Sequence, residues 1–221
     1  MSNNYNALYV TGLLGLLAAI LVGVGEYMLH FDPQGRFAEG GFGFMQGISD
    51  ERSTLGHFLG VFGATFYSVG MFHIYLMLRA ANERAAFFGF IIGAFGCIVG
   101  GVWIGSRASI SALMQIPETP EILHLVELYE FRYETLLNVT RVTTLIVSVI
   151  FIWLSITGRS NYPRWMALFS PILLIIMSFV VWILFPLVGN HIMPIALNVA
   201  FFIFFSLSLF HARVVSKQGG N

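Results

Sequence analysis

Six stretches of roughly twenty apolar residues follow one another along the chain, broken by short polar connections, and that rhythm leaves few folds open. Inside hydrocarbon every backbone N–H and C=O must be bonded within the chain, so runs of this length are read as membrane-crossing helices. They cover about 7–30, 54–78, 85–105, 135–156, 165–188 and 192–210. Only 10% of residues are charged, against about 25% in soluble domains, and 57% are hydrophobic. The expectation is an all-α, polytopic transmembrane bundle of six helices forming one domain over residues 1–221. No basic flank precedes the first run and no small-residue cleavage pattern follows it, so it reads as a retained span.

Arginine and lysine set the expected orientation, because positively charged loops stay in the cytoplasm. With six spans, Arg79, Arg84, Arg159, Arg164, Arg213 and Lys217 share one side, opposite Arg36, Arg52 and Arg107. Both termini are then cytoplasmic. A formal net charge of zero leaves no basic surface for nucleic acid. Cys97 is the only cysteine, which excludes an internal disulfide, a Cys-x-x-Cys pair and a thiolate zinc site.

Polar chemistry gathers around the fourth run. His124, Glu127, Glu130, Glu134, Asn138, Arg141 and Ser148 fall within a third of a helix circumference at 100° per residue. Ionised groups in a span cost roughly 2.5–3.5 kcal/mol each on insertion scales, so they face protein or a wet cavity and mark functional sites by default. Glu26 and His30 lie one turn apart at the end of the first run, and His57 sits one turn into the second. A Glu26–Arg141 or a Glu134–Arg141 pair would lower the cost of burying either charge. Histidine His73, near the other end of its span, reads as a satisfied structural group.

Three readings compete for this cluster. In the first, Glu26, His57, Glu127, Glu130, Glu134, Asn138 and Arg141 line an outward-facing cavity for a lipid headgroup or small molecule. A second reading is a structural ion network, in a chain that serves as an accessory subunit of a membrane complex or as a homo-oligomer. The third is a transition-metal or zinc site built from Glu26, His30, His57, His124 and Glu127, since a bundle can hold an ion with carboxylates and imidazoles one turn apart. Such an ion could acidify a water for a hydrolase, or serve an oxidase, with Glu130 or Glu134 as base. No serine elbow, His-Glu-x-x-His, phosphate loop or dinucleotide fingerprint is present, so whether the chain is an enzyme stays open.

Glycine spacing speaks to packing. Gly56-x-x-x-Gly60, Gly89-x-x-x-Gly93, Gly96-x-x-x-Gly100 and Gly101-x-x-x-Gly105 predict close backbone approach by the second and third spans. The last span, carrying Phe201, Phe202, Phe204 and Phe205, lacks such a face and is expected to meet lipid over much of its surface, with Asn198 turned inward for a hydrogen bond. The glycine-rich connection from Phe31 to Ser53, with Phe37, Phe42, Phe44 and Met45, reads as a mobile aromatic segment at the interface. Tyr162, Arg164 and Trp165 are expected to anchor at headgroup level.

Tyr162-Pro163-Arg164-Trp165-Met166-Ala167-Leu168-Phe169 followed by Pro171, the Gly25-Glu26 pair, Phe72-His73-Ile74-Tyr75 and Leu197-Asn198-Val199-Ala200-Phe201 resemble an uncharacterised bacterial family of six-span membrane proteins, known as a domain of unknown function. The resemblance spans nearly the whole chain. It implies six spans in a bacterial inner membrane and brings no activity, so no catalytic residue follows from it.

Overall fold

The computed structural model describes residues 2–36 and 40–218, and among them there are helices and turns but no strand. Helix α1 covers Ser2–His30, α2 Asp50–Leu78, α3 Glu83–Leu113, α4 Pro120–Ile156, α5 Pro171–Leu184, α6 Pro186–Ile192 and α7 Ala196–Gln218. Short 3-10 turns occupy Gly43–Met45, Arg164–Phe169 and Met193–Ile195. Polar caps start the long helices as the backbone requires. Ser49 accepts from the Arg52 N–H, Asn82 from Ala85 and Thr119 from Ile122, with Pro120 opening α4 where no N–H is needed.

Five stretches are long and apolar enough to cross a membrane: Asn6–His30, α2, α3, α4 and the combined Pro186–Arg213. That is the make-up of a membrane protein. The expected fifth span over 165–188 has a different form. It opens as a 3-10 turn, restarts as helix at Pro171 and ends at Leu184, giving α5 14 residues, or about 21 Å against a hydrocarbon core of about 30 Å. Pro186 is the cause, since a proline drives the residue before it out of helical conformation, and Phe185 sits at φ −135°, ψ 70°. The chain then doubles back, with Gly189 so close to the Trp182 backbone that a Cβ there would clash with the Trp182 Cα.

Neighbouring helices pack in chain order from α1 to α4, and α7 closes the bundle against α1 and α5. The tightest seam is α1 on α2, where a Cβ on Gly25 would lie 2.6 Å from both the Gly56 carbonyl oxygen and the Gly60 nitrogen. On α3, Gly93 and Gly96 admit Met71 and Thr143, whereas Gly89, Gly100, Gly101 and Gly105 make ordinary contacts. The phenylalanines of α7 overturn the lipid-facing expectation. Phe201, Phe204 and Phe205 are buried while Phe202 and Phe210 are exposed, and Gly15 of α1 and Gly70 of α2 open a slot for the Phe205 ring.

Two ends of the bundle are named here by their histidines. At the His73 end, His73 bonds the Leu8 carbonyl through Nδ1 (2.9 Å) and Ser208 Oγ through Nε2 (2.7 Å), and the Tyr162 hydroxyl joins Ser208 at 2.7 Å. Tyr162 is therefore a core residue rather than a headgroup anchor, while Trp165 stays exposed against His211. At the His30 end, the aromatic connection expected to be mobile is packed where it is described. Phe42, Phe44, Met45 and Ile48 are buried with Ile110 and Tyr133, and Phe37 lies outside the described residues. Gln115 holds this segment by donating to the Met45 carbonyl (2.8 Å) and accepting from the Gly47 N–H (3.0 Å).

The seam between α4 and α5 differs from the others. At its His73 end α4 packs on the Arg164–Phe169 turn, and Ser148 Oγ accepts from the Ile172 N–H at 3.2 Å, satisfying a donor in the first turn of α5. Beyond that point a cleft lies between the two helices.

Candidate functional site

Glu26 occupies the last full turn of α1, held over α2 by the glycine seam, and is 8% exposed. Its Oε2 accepts from the Asn198 side-chain amide of α7, whose own oxygen accepts from the Tyr67 hydroxyl of α2 at 2.7 Å. One turn on, His30 Nδ1 faces Glu26 Oε1 at 3.5 Å, and the Pro194 carbonyl also accepts from His30. On the other edge of the imidazole, Arg107 Nε donates to His30 Nε2 at 2.5 Å.

The direction of every bond in this chain is fixed by its ends. A guanidinium can only donate, so His30 Nε2 must accept and the ring carries its proton on Nδ1. That proton points to Glu26 Oε1 and the Pro194 carbonyl, while Asn198 donates to Oε2. Glu26 is thus approached only by donors, as suits an ionised carboxylate, and a neutral imidazole separates it from the buried positive charge of Arg107.

Arg107 is fully buried on α3, and its two terminal nitrogens have no hydrogen-bond partner. Aromatic faces enclose it instead: the guanidinium carbon lies 4.0 Å from the Tyr133 ring centre, 5.4 Å from Phe42, and 5.5 Å from both Phe44 and Trp103. Desolvated cation–π contacts of this kind are worth about 2 kcal/mol or more. The packed aromatic segment between α1 and α2 is therefore part of the site. Just outside, Arg36 binds Asp32 through Nε (2.8 Å), which holds that carboxyl below its ordinary pKa.

Two clefts meet at Glu26. One, of about 800 Å³ with its open mouth, runs between α2, α3, α4 and α7 past Tyr67, Cys97, Thr140 and Asn198. The other, of about 1260 Å³ on the same basis, lies where α4 parts from α5 and is walled by His30, Tyr133, Leu145, Ile175 and Pro194, with Arg141 on its rim. Glu26, Trp103, Leu137, Thr140, Thr144 and Leu197 line both. Apart from Glu26, His30, Asn198 and Arg141, the lining is aliphatic, aromatic, hydroxyl or sulfur-bearing.

The sequence-derived site residues divide. Glu134, Asn138 and Arg141 do form a unit, with Arg141 donating to Glu134 at 3.3 Å and to Asn138 at 2.9 Å, but it is half exposed on the flank of α4. Arg141 thus pairs with Glu134, and Glu26 is balanced by Arg107 through His30. Further along α4, His124 and Glu127 are exposed and Glu130 is half-buried, all outside the clefts. His57 packs on Phe58, its Nδ1 buried without a partner, and does not reach Glu26. The metal set of Glu26, His30, His57, His124 and Glu127 is not assembled: among the described residues no group of three His, Cys, Asp or Glu side chains could hold an ion. Helical spacing placed these ligands on faces, but the faces of α2 and α4 that carry them do not turn toward α1.

Residues missed in the sequence are Arg107, Tyr67, Trp103 and Tyr133. A third span read as ending at Gly105 leaves Arg107 in a connection, yet α3 runs on to Leu113. Its signal was present in Trp103, Arg107 and Ile110, which recur at helical spacing on one face.

Compared with known proteins, the chain matches over residues 1–214 a family described as a family of unknown function (DUF6796). No curated protein and no solved structure matches it.

Proposed function

The chain belongs to that family of unknown function, DUF6796, and from this premise we propose that it is a multi-pass membrane protein that takes an amphiphilic molecule, a lipid or small lipophilic compound, sideways into the α4–α5 cleft. The polar end of the guest reaches Glu26 and its apolar part lies along Leu145, Ile175 and Phe179. One observation carries this reading: the buried carboxylate of Glu26 is a wall of both clefts, and nearly everything else lining them is apolar. Ligand pockets typically combine apolar walls with a few convergent polar groups, which is the pattern here.

The lateral gap supplies the route. Beyond Ser148 toward the His30 end, α4 and α5 separate and the wider cleft lies between them. A guest dissolved in the bilayer would need no path through water. Extraction of protein purified into nanodiscs, followed by mass spectrometry, should recover a stoichiometric amphiphile from the native chain. Thr144→Trp, which fills the junction of the clefts, should lose it while remaining folded. Equal recovery from both proteins would remove the cleft reading.

We further propose a bacterial inner membrane with both termini in the cytoplasm. The support is the bias of Arg79, Arg84, Arg159, Arg164, Arg213 and Lys217 to the His73 end. Reporter fusions at the two termini and after Gln115 should report opposite sides, and a periplasmic C-terminus would reverse the assignment.

A further inference from the structure

Resting on the proposed cleft, we infer that the head of the bound amphiphile is an uncharged hydrogen-bond donor, a hydroxyl or amide N–H, which donates to the Glu26 carboxylate. The argument is a count of charges and of open acceptors. Two side chains of charged type, Glu26 and Arg141, line the clefts, and each has a partner of opposite sign. Glu26 is balanced by Arg107 across the His30 ring, and Arg141 on the rim by Glu134 at 3.3 Å. Around Glu26, α2 contributes the neutral Tyr67, α3 Trp103 and Cys97, α4 Thr140 and Thr144, and α7 Asn198. A charged head would therefore leave one unbalanced charge in an apolar enclosure, which low dielectric penalises strongly.

Acceptors decide between the remaining neutral heads. An ionised carboxylate offers about four lone-pair sites. Glu26 receives one hydrogen bond from Asn198 on Oε2 and a long contact from His30 on Oε1, so open sites remain on a group that is itself part of the cleft wall. An ether or ester oxygen could accept from the unpartnered Nε1–H of Trp103 but would bring lone pairs against those of Glu26, whereas a hydroxyl can serve both. A hydroxyl or amide N–H supplies what is missing, and bonds to charged groups are among the stronger ones.

In a Cys97→Ser background, Ile175→Cys puts the single thiol on the wall of the α4–α5 cleft, where its rate of alkylation reports occupancy. This single-thiol chain in nanodiscs is treated with N-ethylmaleimide in the presence of 1-dodecanol, 1-methoxydodecane, dodecylammonium or laurate, each expressed as its concentration in the bilayer. The expected result is protection by dodecanol at a concentration at least about tenfold below that needed for the methyl ether or either ion. Ether equal to alcohol overturns the donor requirement, and ammonium or laurate equal to alcohol overturns the neutral head. Protection by none of the four would count against the cleft itself. Glu26→Gln, if folded, should lower the alcohol's advantage over the ether to less than about threefold, and an undiminished advantage would also overturn the assignment. Should that variant fail to fold, the four-probe series on the Glu26-bearing single-thiol chain decides alone.

Discussion

A buried arginine next to a neutral histidine is an unusual choice, and its cost explains much of the site. Arg107 gives up hydration completely and keeps one hydrogen bond, to His30, with four aromatic rings around it. Removing one member of a buried pair strands the other charge, which typically costs about 3–5 kcal/mol. Arg107→Met should therefore be strongly destabilised in detergent unfolding, and so should Glu26→Gln. The double variant should recover most of the combined loss, and strictly additive losses would show that the two charges do not interact. Asn198→Ala leaves both Glu26 Oε2 and the Tyr67 hydroxyl short of a partner and should cost about 1–3 kcal/mol, with Tyr67→Phe nearer 1 kcal/mol. Outside the membrane-spanning segments, the Asp32 pKa is depressed, so its pair with Arg36 stabilises the fold above the ordinary carboxylate value of about 3.9 and is lost as pH falls through the lower, folded value. Arg36→Gln should flatten the acid limb of a stability profile below about pH 4; an unchanged limb would mean that other carboxylates set it. Glu26 and His30 were legible in the sequence because both lie on one helix face. Arg107 was not, because an arginine two residues past an apolar run reads as a loop charge until the length of α3 is known.

Helix by helix, the apolar runs predicted what a run can predict, namely that a segment crosses. They were silent on which neighbour each face would choose. The bulky last span carries no small-residue face of its own, and the slot that buries Phe205 is cut by Gly15 and Gly70 on the helices opposite. Likewise α5 could not be separated from α6 by hydropathy, because Pro186 interrupts the backbone inside a run that stays apolar. The same geometry distinguishes glycines that look alike in sequence. A Cβ at Gly25 would meet backbone atoms at 2.6 Å, which cannot turn away, whereas at Gly100 the nearest atoms are those of Thr140 at 3.8 Å. Gly25→Ala should cost about 1–3 kcal/mol through overpacking, and Gly100→Ala should be neutral or slightly stabilising because alanine favours helix. Thermal unfolding of the two variants side by side tests this. Equal effects would mean that the α1–α2 seam can open without penalty.

At the scale of the whole molecule, the polar cluster and the lateral gap depend on a single arrangement of helices. Ser148 pins α4 to the start of α5 at one end, Pro186 turns the chain back before α5 has gained a full crossing length, and the space left between them opens at the level of Glu26. The charged stripe on α4 was visible in the sequence, yet its role in this arrangement was not, since Ser148 works as a clasp for α5 and Arg141 as a rim while the upper members face away from the clefts. If the gap is the doorway, tying its edges together should stop exchange without disturbing the fold. In a Cys97→Ser background, Leu145→Cys on α4 and Ile175→Cys on α5 place thiols on the two walls of the wider cleft. Bridging them with a short bis-maleimide should slow uptake and release of a labelled dodecanol at least about tenfold, while each single-cysteine variant treated alike exchanges at the native rate. Unchanged exchange in the bridged protein, with the cross-link verified by mass spectrometry, would mean that the guest reaches Glu26 by another path. The buried carboxylate would then have to be approached from the His30 end, past the aromatic segment that Gln115 holds in place.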